Sequence, residues 1–179
     1  MRRRPSISFV INANMWNNDT IRDLERRSIR SFVAQHKQCL KGRVLDFGAG
    51  TPTTCRTPQP YRDLVEGEYV AYDVDSPSVW GPWDAILCTQ VVQYIPDVPK
   101  LLSRFEAQLV AGGYLVMTYP TNWAEVEGSD LWRFTRAGME RLLHDAELEV
   151  LHHERRAEVT LGGFAFALGY GVVAKKAGL

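Results

Sequence analysis

Blocks of apolar residues along the chain predict strands and helices in alternation. From residue 19 to residue 40 the apolar positions recur at helical spacing, which predicts an amphipathic helix whose other faces carry arginines. Later runs are short and apolar throughout, which is typical of strands buried on both faces of a sheet. The predicted strands are residues 43–47, 69–72, 83–88 and 114–119, and two more between residues 148 and 176 around the glycines at 162 and 163.

Helices are predicted between these strands. One covers residues 99–109, another runs from a cap at Thr135 to about residue 146, and a short one begins at Pro60. Gly112 and Gly113 predict a turn before the fourth strand. This alternation indicates an α/β fold, a Rossmann-like three-layer sandwich with a mostly parallel sheet and an antiparallel C-terminal strand.

A length of 179 residues predicts a single domain, and 45% hydrophobic with 23% charged residues is an ordinary globular composition. These proportions disfavour disordered, collagen-like and coiled-coil proteins. Within the domain we expect an N-terminal arm over residues 1–17, a leading helix over 18–41 and a Rossmann-like core over 42–179.

The formal charges cancel, with 21 basic and 21 acidic residues, but they are unevenly distributed. Residues 1–42 hold nine basic and three acidic side chains, so the rest of the chain carries a net charge of −6. A neutral total gives no support to nucleic-acid binding, whereas an acidic core suits a cationic ligand.

The cysteines and the hydropathy pattern predict a cytoplasmic protein. Cys39, Cys55 and Cys88 are odd in number and form no Cys-x-x-Cys pair, which indicates a reducing compartment. No apolar run approaches the roughly 20 residues that a membrane span needs.

The segment with the clearest chemistry follows the first predicted strand and consists of Asp46, Phe47, Gly48, Ala49 and Gly50. A Gly-x-Gly turn lets the backbone bend sharply and approach a ligand closely, although a purely structural turn is the alternative. In a dinucleotide-binding loop the third glycine opens a helix. Here Thr53, next to Pro52, occupies that position and no helix can start there, which argues against an NAD-dependent oxidoreductase.

A carboxylate, Asp73, ends the second predicted strand. At this point of a Rossmann-like fold a carboxylate accepts hydrogen bonds from the hydroxyls of a ribose. A cap for the following turn is the alternative role, and Asp75 competes for the same position.

These segments resemble the class I S-adenosylmethionine-dependent methyltransferases, in particular a small bacterial subgroup with an element like Asp-Tyr-Trp-Arg-Phe-Thr. Six similar segments follow the family's order: residues 46–50, 60–62, 72–75, 83–92, 109–115 and 130–135. The resemblance extends over about residues 40 to 150.

The resemblance implies S-adenosylmethionine as cofactor and S-adenosylhomocysteine as product, at the carboxyl ends of the strands. Gly48 and Gly50 would let the backbone pass under the methionine part, and Asp46 would hold the loop or reach the cofactor's ammonium group. The other implied cofactor contacts are Phe47 and Ala49 in the loop, Asp73 to the ribose, Val74 to the adenine, and Thr89 and Gln90 to the sulfonium side.

Two departures from the family stand out. Only residues 74–82 lie between the ribose carboxylate and the next strand, so we expect the family's usual third strand to be missing or shortened. Trp80 would then stack on adenine or cover the sheet edge. Gln93 and Tyr94 replace the subgroup's Glu-His, which removes a possible base or structural histidine.

Methyl transfer from a sulfonium is an in-line displacement that needs alignment and the exclusion of water, and a base only when the acceptor must lose a proton. No catalytic residue is assigned. The acceptor-binding candidates are Tyr94, Tyr119, Trp132 and Arg133. Arg133 has a second interpretation, in which it ties down its own loop through a salt bridge.

The histidines predict no metal site, because His152 and His153 point to opposite faces of a strand, His144 is on a helix and His36 is remote. The sequence thus predicts a methyltransferase acting on a small-molecule acceptor such as a sugar or another biosynthetic intermediate. The alternative is a non-catalytic, methyltransferase-like binding domain. Nucleic acid and membranes are disfavoured as partners, and the oligomeric state stays open.

Overall fold

The computed structural model describes residues 19–50, 59–73, 76–125, 128–161 and 163–178. In these residues the helices are α1 (Asp19–Gln35), α2 (Val98–Gln108) and α3 (Arg136–Asp145). The strands are β1 (Lys41–Phe47), β2 (Glu66–Tyr72), β3 (Trp83–Thr89), β4 (Leu109–Pro120), β5 (Leu148–Leu161) and β6 (Phe164–Lys176). None of the helices has both the length and the apolarity that crossing a membrane requires.

The strands form one sheet in the order β2-β1-β3-β4-β6-β5. The first four of these run parallel, β6 is antiparallel to β4, and β5 is antiparallel to β6. This confirms the mostly parallel sheet with an antiparallel strand at the C-terminus. Of the described residues between β2 and β3, none lies in a strand, so β2 forms the edge of the sheet where the usual third strand would pair.

Helices cover both faces of the sheet and complete the three predicted layers. On one face, apolar residues of α1 pack against the inner strands; the main contributors are Phe32, Val33, Val44, Ala85, Leu87 and Val116. On the opposite face α2 and α3 bury a second cluster, which includes Leu102, Phe105, Met139, Leu143, Ile86 and Met117. Since each central strand contributes to both clusters, these strands carry apolar residues at successive positions.

The helical elements before β3 are shorter than predicted. α1 ends at Gln35, and a 3-10 turn over Lys37–Cys39 brings the buried Leu40 to the start of β1. The helix predicted at Pro60 is likewise a single 3-10 turn, Arg62–Leu64. The cap predicted at Thr135 is confirmed, since its side chain accepts a hydrogen bond from the Gly138 amide at the start of α3.

The turn predicted at Gly112 and Gly113 is wrong, because both residues lie inside β4. Between two paired positions β3 advances two residues, from Trp83 to Ala85, while β4 advances five, from Leu109 to Tyr114. The extra residues form a bulge, in which Gly112 takes a positive φ of 76°. A β-bulge and a turn both favour glycine, because both contain residues with a positive φ, so the sequence alone does not distinguish them.

A buried ion pair docks α1 onto the sheet. The Arg156 guanidinium of β5 donates to Glu25 Oε1 at 3.0 Å and to Ser28 Oγ at 3.0 Å, both on α1. It also donates to the backbone carbonyl of Tyr170 at 2.9 Å, so a single side chain joins α1, β5 and β6. The side chains of Arg156 and Glu25 are 1% and 8% exposed, which shields the pair from water.

Removing one partner of this pair should therefore be far more costly than removing a surface pair. We expect Glu25→Ala to lower the free energy of unfolding by about 3–5 kcal/mol, because it leaves the Arg156 charge buried without its counter-ion. Asp23→Ala is the matched control on the same helix, since Asp23 pairs with Arg26 at the exposed surface and should matter little. Urea unfolding of the three proteins measures both effects, and equal losses would show that the buried pair has no special role.

Candidate functional site

The first loop of the site is held by the end of the neighbouring strand. Directly after β1, the amides of Gly48 and Ala49 both donate to the carbonyl of Tyr72, at 2.8 and 3.0 Å. Gly48 has a positive φ of 82°, and a Cβ there would overlap the Val91 side chain. Only glycine fits this position, because conformation and space both exclude a side chain.

Asp73 fixes the far end of the same loop. Its Oδ2 accepts a hydrogen bond from the Gly50 amide at 2.8 Å, and its own amide donates to Ser76 Oγ at 2.9 Å. Of the two roles expected for Asp46, that of holding the loop therefore belongs to Asp73. Val74, Asp75 and Thr53 lie outside the described residues.

Asp46, in β1 just before the loop, is buried, with 1% of its surface exposed. The Tyr69 hydroxyl donates to Oδ2, while Oδ1 has no hydrogen-bond partner among the described residues. Burial raises the pKa of Asp46 to about 7; the Tyr69 hydrogen bond partly opposes this rise, and the nearby charge of Asp73 adds to it. A buried carboxylate oxygen without a partner is a natural acceptor for a cationic donor group.

The turn after β3 forms the other side of the site. Gln90 has a positive φ of 57°, which is uncommon for a residue with a side chain. Two hydrogen bonds hold it there: its amide donates to the Thr118 carbonyl at 2.9 Å, and Gln93 Nε2 donates to its carbonyl at 2.9 Å. Gln93, which replaces the acid of the family's Glu-His, is thus a buried brace for this turn.

Two tyrosines that were not predicted as site residues support the predicted ones. The Tyr69 hydroxyl on β2 donates a hydrogen bond to Asp46, and Tyr61 lies beside Thr89. Burial raises the pKa of Tyr61 to about 12, so its phenol stays protonated. Only for Tyr61 could the sequence have indicated a place in the site, because it lies in the segment 60–62 that resembles the family. Tyr69 is an ordinary aromatic residue of a strand and carries no such signal.

Three exposed apolar side chains lie beside the β3 turn, and we call them the Tyr94–Trp132 patch: Tyr94, Leu131 and Trp132. They come from separate segments that are joined by hydrogen bonds. The Leu131 amide donates to the Gln93 carbonyl, and the Trp132 indole donates to the Ile95 carbonyl, each at 2.9 Å. The loop after β4 is therefore docked onto the turn that follows β3, and the Trp132 ring is left half exposed.

Arg133 stabilises this loop from within. Its Nη2 contacts Asp130 Oδ2 at 2.6 Å and donates to the Ala124 carbonyl at 3.2 Å. The salt-bridge interpretation of Arg133 is thus confirmed.

Tyr119, another acceptor candidate, lies in the protein interior. It has no exposed surface, and its hydroxyl is 2.7 Å from Nε2 of the buried His153. His153 Nδ1 is in turn 2.9 Å from Glu140 Oε1. Burial is the main cause of the raised pKa of Tyr119 and the lowered pKa of His153. In this conformation Tyr119 supports the packing of β4 against β5 and α3 and offers no surface to an acceptor.

Trp80 lies against α2. The guanidinium carbon of Arg104 is 5.4 Å from the centre of the indole ring, a cation–π arrangement on the surface of that helix. Two-thirds of the Trp80 side chain remains exposed.

The expectation that His36 is remote from the other histidines is wrong. The ring centres of His36 and His152 are 4.8 Å apart, and His152 Nε2 is 3.1 Å from Glu154 Oε2. The fold brings the turn after α1 against β5, and no local sequence pattern predicts this contact between residues distant in sequence. The geometric reason for expecting no metal site therefore does not hold.

Comparison with known proteins places this chain in a family. The family profile described as "Methyltransferase domain" matches residues 21–154, most of the chain. The chain therefore belongs to the methyltransferase domain family, and the enzyme class predicted from the sequence is confirmed. A comparison with curated protein sequences finds no match.

Solved structures share the fold at low sequence identity. An S-adenosylmethionine-dependent methyltransferase from Clostridium acetobutylicum is 12% identical with a TM-score of 0.59, covering 93% of this chain and 98% of that chain. One from Mesorhizobium loti is 13% identical with a TM-score of 0.57, covering 86% and 98%. The 1,6-didemethyltoxoflavin-N1-methyltransferase of Burkholderia thailandensis, with bound 1,6-didemethyltoxoflavin and S-adenosylhomocysteine, is 17% identical with a TM-score of 0.54, covering 92% and 81%.

The raised pKa of Asp46 predicts a pH dependence of stability. In the unfolded chain this carboxyl ionises at its ordinary pKa of 3.8, whereas in the folded protein it holds its proton up to about pH 7. The folded state therefore binds more protons between these values, and the Asp46 contribution to the free energy of unfolding falls as the pH rises through that window, by on the order of a few kcal/mol.

Urea unfolding of the ligand-free protein at several pH values measures this effect. Asp46→Asn keeps an acceptor for Tyr69 and removes the titration, so its stability relative to wild type should improve as the pH rises from 4 to 7. Subtracting the two curves removes the contribution of all other carboxyl groups. Parallel curves would contradict the assignment.

Proposed function

We propose that this chain transfers a methyl group from S-adenosylmethionine to a small-molecule acceptor by in-line displacement. S-adenosylmethionine is the cofactor and S-adenosylhomocysteine the product. The observation that carries the proposal is the unpartnered, buried Oδ1 of Asp46, a residue of β1 just before the Gly48–Gly50 loop, since this oxygen can accept a hydrogen bond from a cationic amino group.

Each predicted cofactor residue has a proposed role. Asp46 binds the ammonium group of the methionine part, and Gly48 and Gly50 with the intervening Ala49 let the backbone approach it. Asp73 binds the ribose while it holds Gly50. The remaining proposed contacts are Phe47 and Val74 on the adenosine side and Thr89 and Gln90 on the sulfonium side.

When bound, the cofactor supplies an electrophilic methyl group on a positively charged sulfur. The protein's part is to orient the two reactants and to exclude water, which accounts for the rigid turns on both sides of the site. The Gln90 turn, fixed by Thr118 and Gln93, holds its geometry without needing the ligand. The carboxylate of Asp73, and that of Asp46 once it is ionised, also favours a cation in this position.

The acceptor is proposed to bind on the Tyr94–Trp132 patch. These half-exposed apolar side chains lie next to the β3 turn, to which their loop is hydrogen-bonded. An exposed aromatic surface suits a small molecule with an apolar face. Among related structures, the Burkholderia thailandensis enzyme acts on a small molecule, 1,6-didemethyltoxoflavin. Arg133 positions the patch by holding its loop.

The absence of any excess of positive charge over the whole chain supports a small-molecule acceptor over nucleic acid. Two of the cysteines, Cys39 and Cys88, are free and buried, in keeping with the proposed cytoplasmic location.

Calorimetry with S-adenosylhomocysteine tests the cofactor site. Asp73→Ala should weaken binding by roughly 1–3 kcal/mol, because charge-assisted hydrogen bonds are lost. Asp73→Asn keeps an acceptor for the Gly50 amide but loses the charge, so it separates the ribose contact from the loop contact. Asp145→Ala, on the exposed surface of α3, should bind like wild type. Absence of binding by the wild-type protein would overturn the proposal.

Mass spectrometry of reactions with a panel of small-molecule acceptors tests the transfer itself. With a productive acceptor, Trp132→Ala should raise KM more than it lowers kcat, since it removes binding surface and leaves the cofactor site intact. Exposed Leu151→Ala on β5 is the matched control and should change neither constant. Tight cofactor binding without turnover on any acceptor would favour the non-catalytic binding domain.

A further inference from the structure

Two histidines and a glutamate from distant parts of the chain meet on the α1 side of the sheet. His36 directly follows α1, while His152 and Glu154 lie two residues apart on β5 and so share one face of the strand. His153, between them, points to the opposite face and is buried against Tyr119. This placement separates the group from the methyltransferase site at the ends of β1 to β3.

The donor atoms of these three side chains are close together. One ligand atom from each of His36, His152 and Glu154 lies within 4.8 Å of the others, and His152 Nε2 is 3.1 Å from Glu154 Oε2. Around a tetrahedral zinc ion with bonds of about 2.0–2.2 Å, ligand atoms are separated by roughly 3.3 Å. Small side-chain rotations of His36 would therefore bring all three into reach of one ion.

The rings are already oriented by packing. Phe32 lies 4.7 Å from the His36 ring and 6.4 Å from the His152 ring, measured between centres, so one buried aromatic residue supports both imidazoles. The side chains of His152 and Glu154 are 43% and 37% exposed, which leaves a route for an ion and a position for a water ligand. Positioned ligands lose less freedom when a metal binds.

The donor set favours a particular class of ion. Two imidazoles with one carboxylate suit zinc and neighbouring transition metals, whereas magnesium and calcium prefer oxygen ligands throughout. Three protein ligands with an open fourth position form a known type of zinc site.

We propose that His36, His152 and Glu154 bind a divalent transition metal ion, with zinc the preferred one, and that this ion links the end of α1 to β5. This function is separate from methyl transfer and does not rest on it. The metal stabilises the docking of α1 from one end, while the Arg156–Glu25 pair stabilises it further toward the start of the helix. Because the two elements are far apart in sequence, the bound ion stabilises the folded state and not the unfolded chain.

Calorimetric titration of the metal-free full chain with zinc chloride tests this site, together with thermal unfolding in zinc and in EDTA. We expect one zinc ion per chain and a higher Tm with zinc. His36→Ala and His152→Ala should each weaken zinc binding about 100-fold and abolish the Tm shift, and Glu154→Gln should weaken it to a smaller degree. His144→Ala is the matched control, because it removes the exposed histidine of α3 and leaves the site intact.

Unfolding in EDTA shows whether each variant folds, and we expect Tm values close to that of the wild type there, since the replaced side chains are partly exposed. Cobalt substitution adds a second readout: its visible spectrum should report a four-coordinate ion in wild type and in His144→Ala, and lose that signature in His36→Ala. Zinc binding that survives in both His36→Ala and His152→Ala, or no binding by the wild type, would overturn the proposal.

Discussion

The docking of the leading helix depends on one guanidinium. Arg156 donates to Glu25 and Ser28 of α1 and to the carbonyl groups of Tyr119 on β4 and Tyr170 on β6. A buried charge of this kind is tolerated only when its donors are satisfied, so the helix and the three strands must keep one relative arrangement. The same arrangement places α1 over the sheet face opposite α2 and α3 and brings His36 against β5.

The loops of the candidate site are also fixed by hydrogen bonds between separate elements, because each loop is hydrogen-bonded to the end of an adjacent strand. The β1 loop is bound by the Tyr72 carbonyl at the end of β2 and by the carboxylate of Asp73, the next residue. The β3 turn is bound by the Thr118 carbonyl of β4. Parallel strands put these ends at one edge of the sheet. The loops are thus positioned by the sheet register, so the candidate site has a defined geometry although it is built from turns.

Local patterns were sufficient to predict the strands, the Thr135 cap and the Gly-x-Gly loop. The missing or shortened third strand was predicted from the resemblance to a family whose spacing is longer at this point. Local patterns were insufficient wherever a residue's role depends on a partner distant in sequence. The Gly112–Gly113 bulge depends on pairing with β3, and the contact between His36 and His152 depends on how α1 crosses β5. Tyr69 likewise becomes a site residue only because its strand lies beside Asp46.

Asp46 lowers the stability of the free protein, although the same residue is the one proposed to bind the cationic cofactor. Burying a carboxylate with an unpartnered oxygen destabilises the ligand-free fold near neutral pH, and an apolar residue would fill the space at lower cost. A positively charged ligand beside Oδ1 would reverse that balance, since it supplies the missing partner and lowers the pKa of the carboxyl group. A group that is unfavourable in the free protein and favourable with a cation bound suits a cation-binding site, and its position just before the Gly48–Gly50 loop is the reason for proposing the cofactor as that cation.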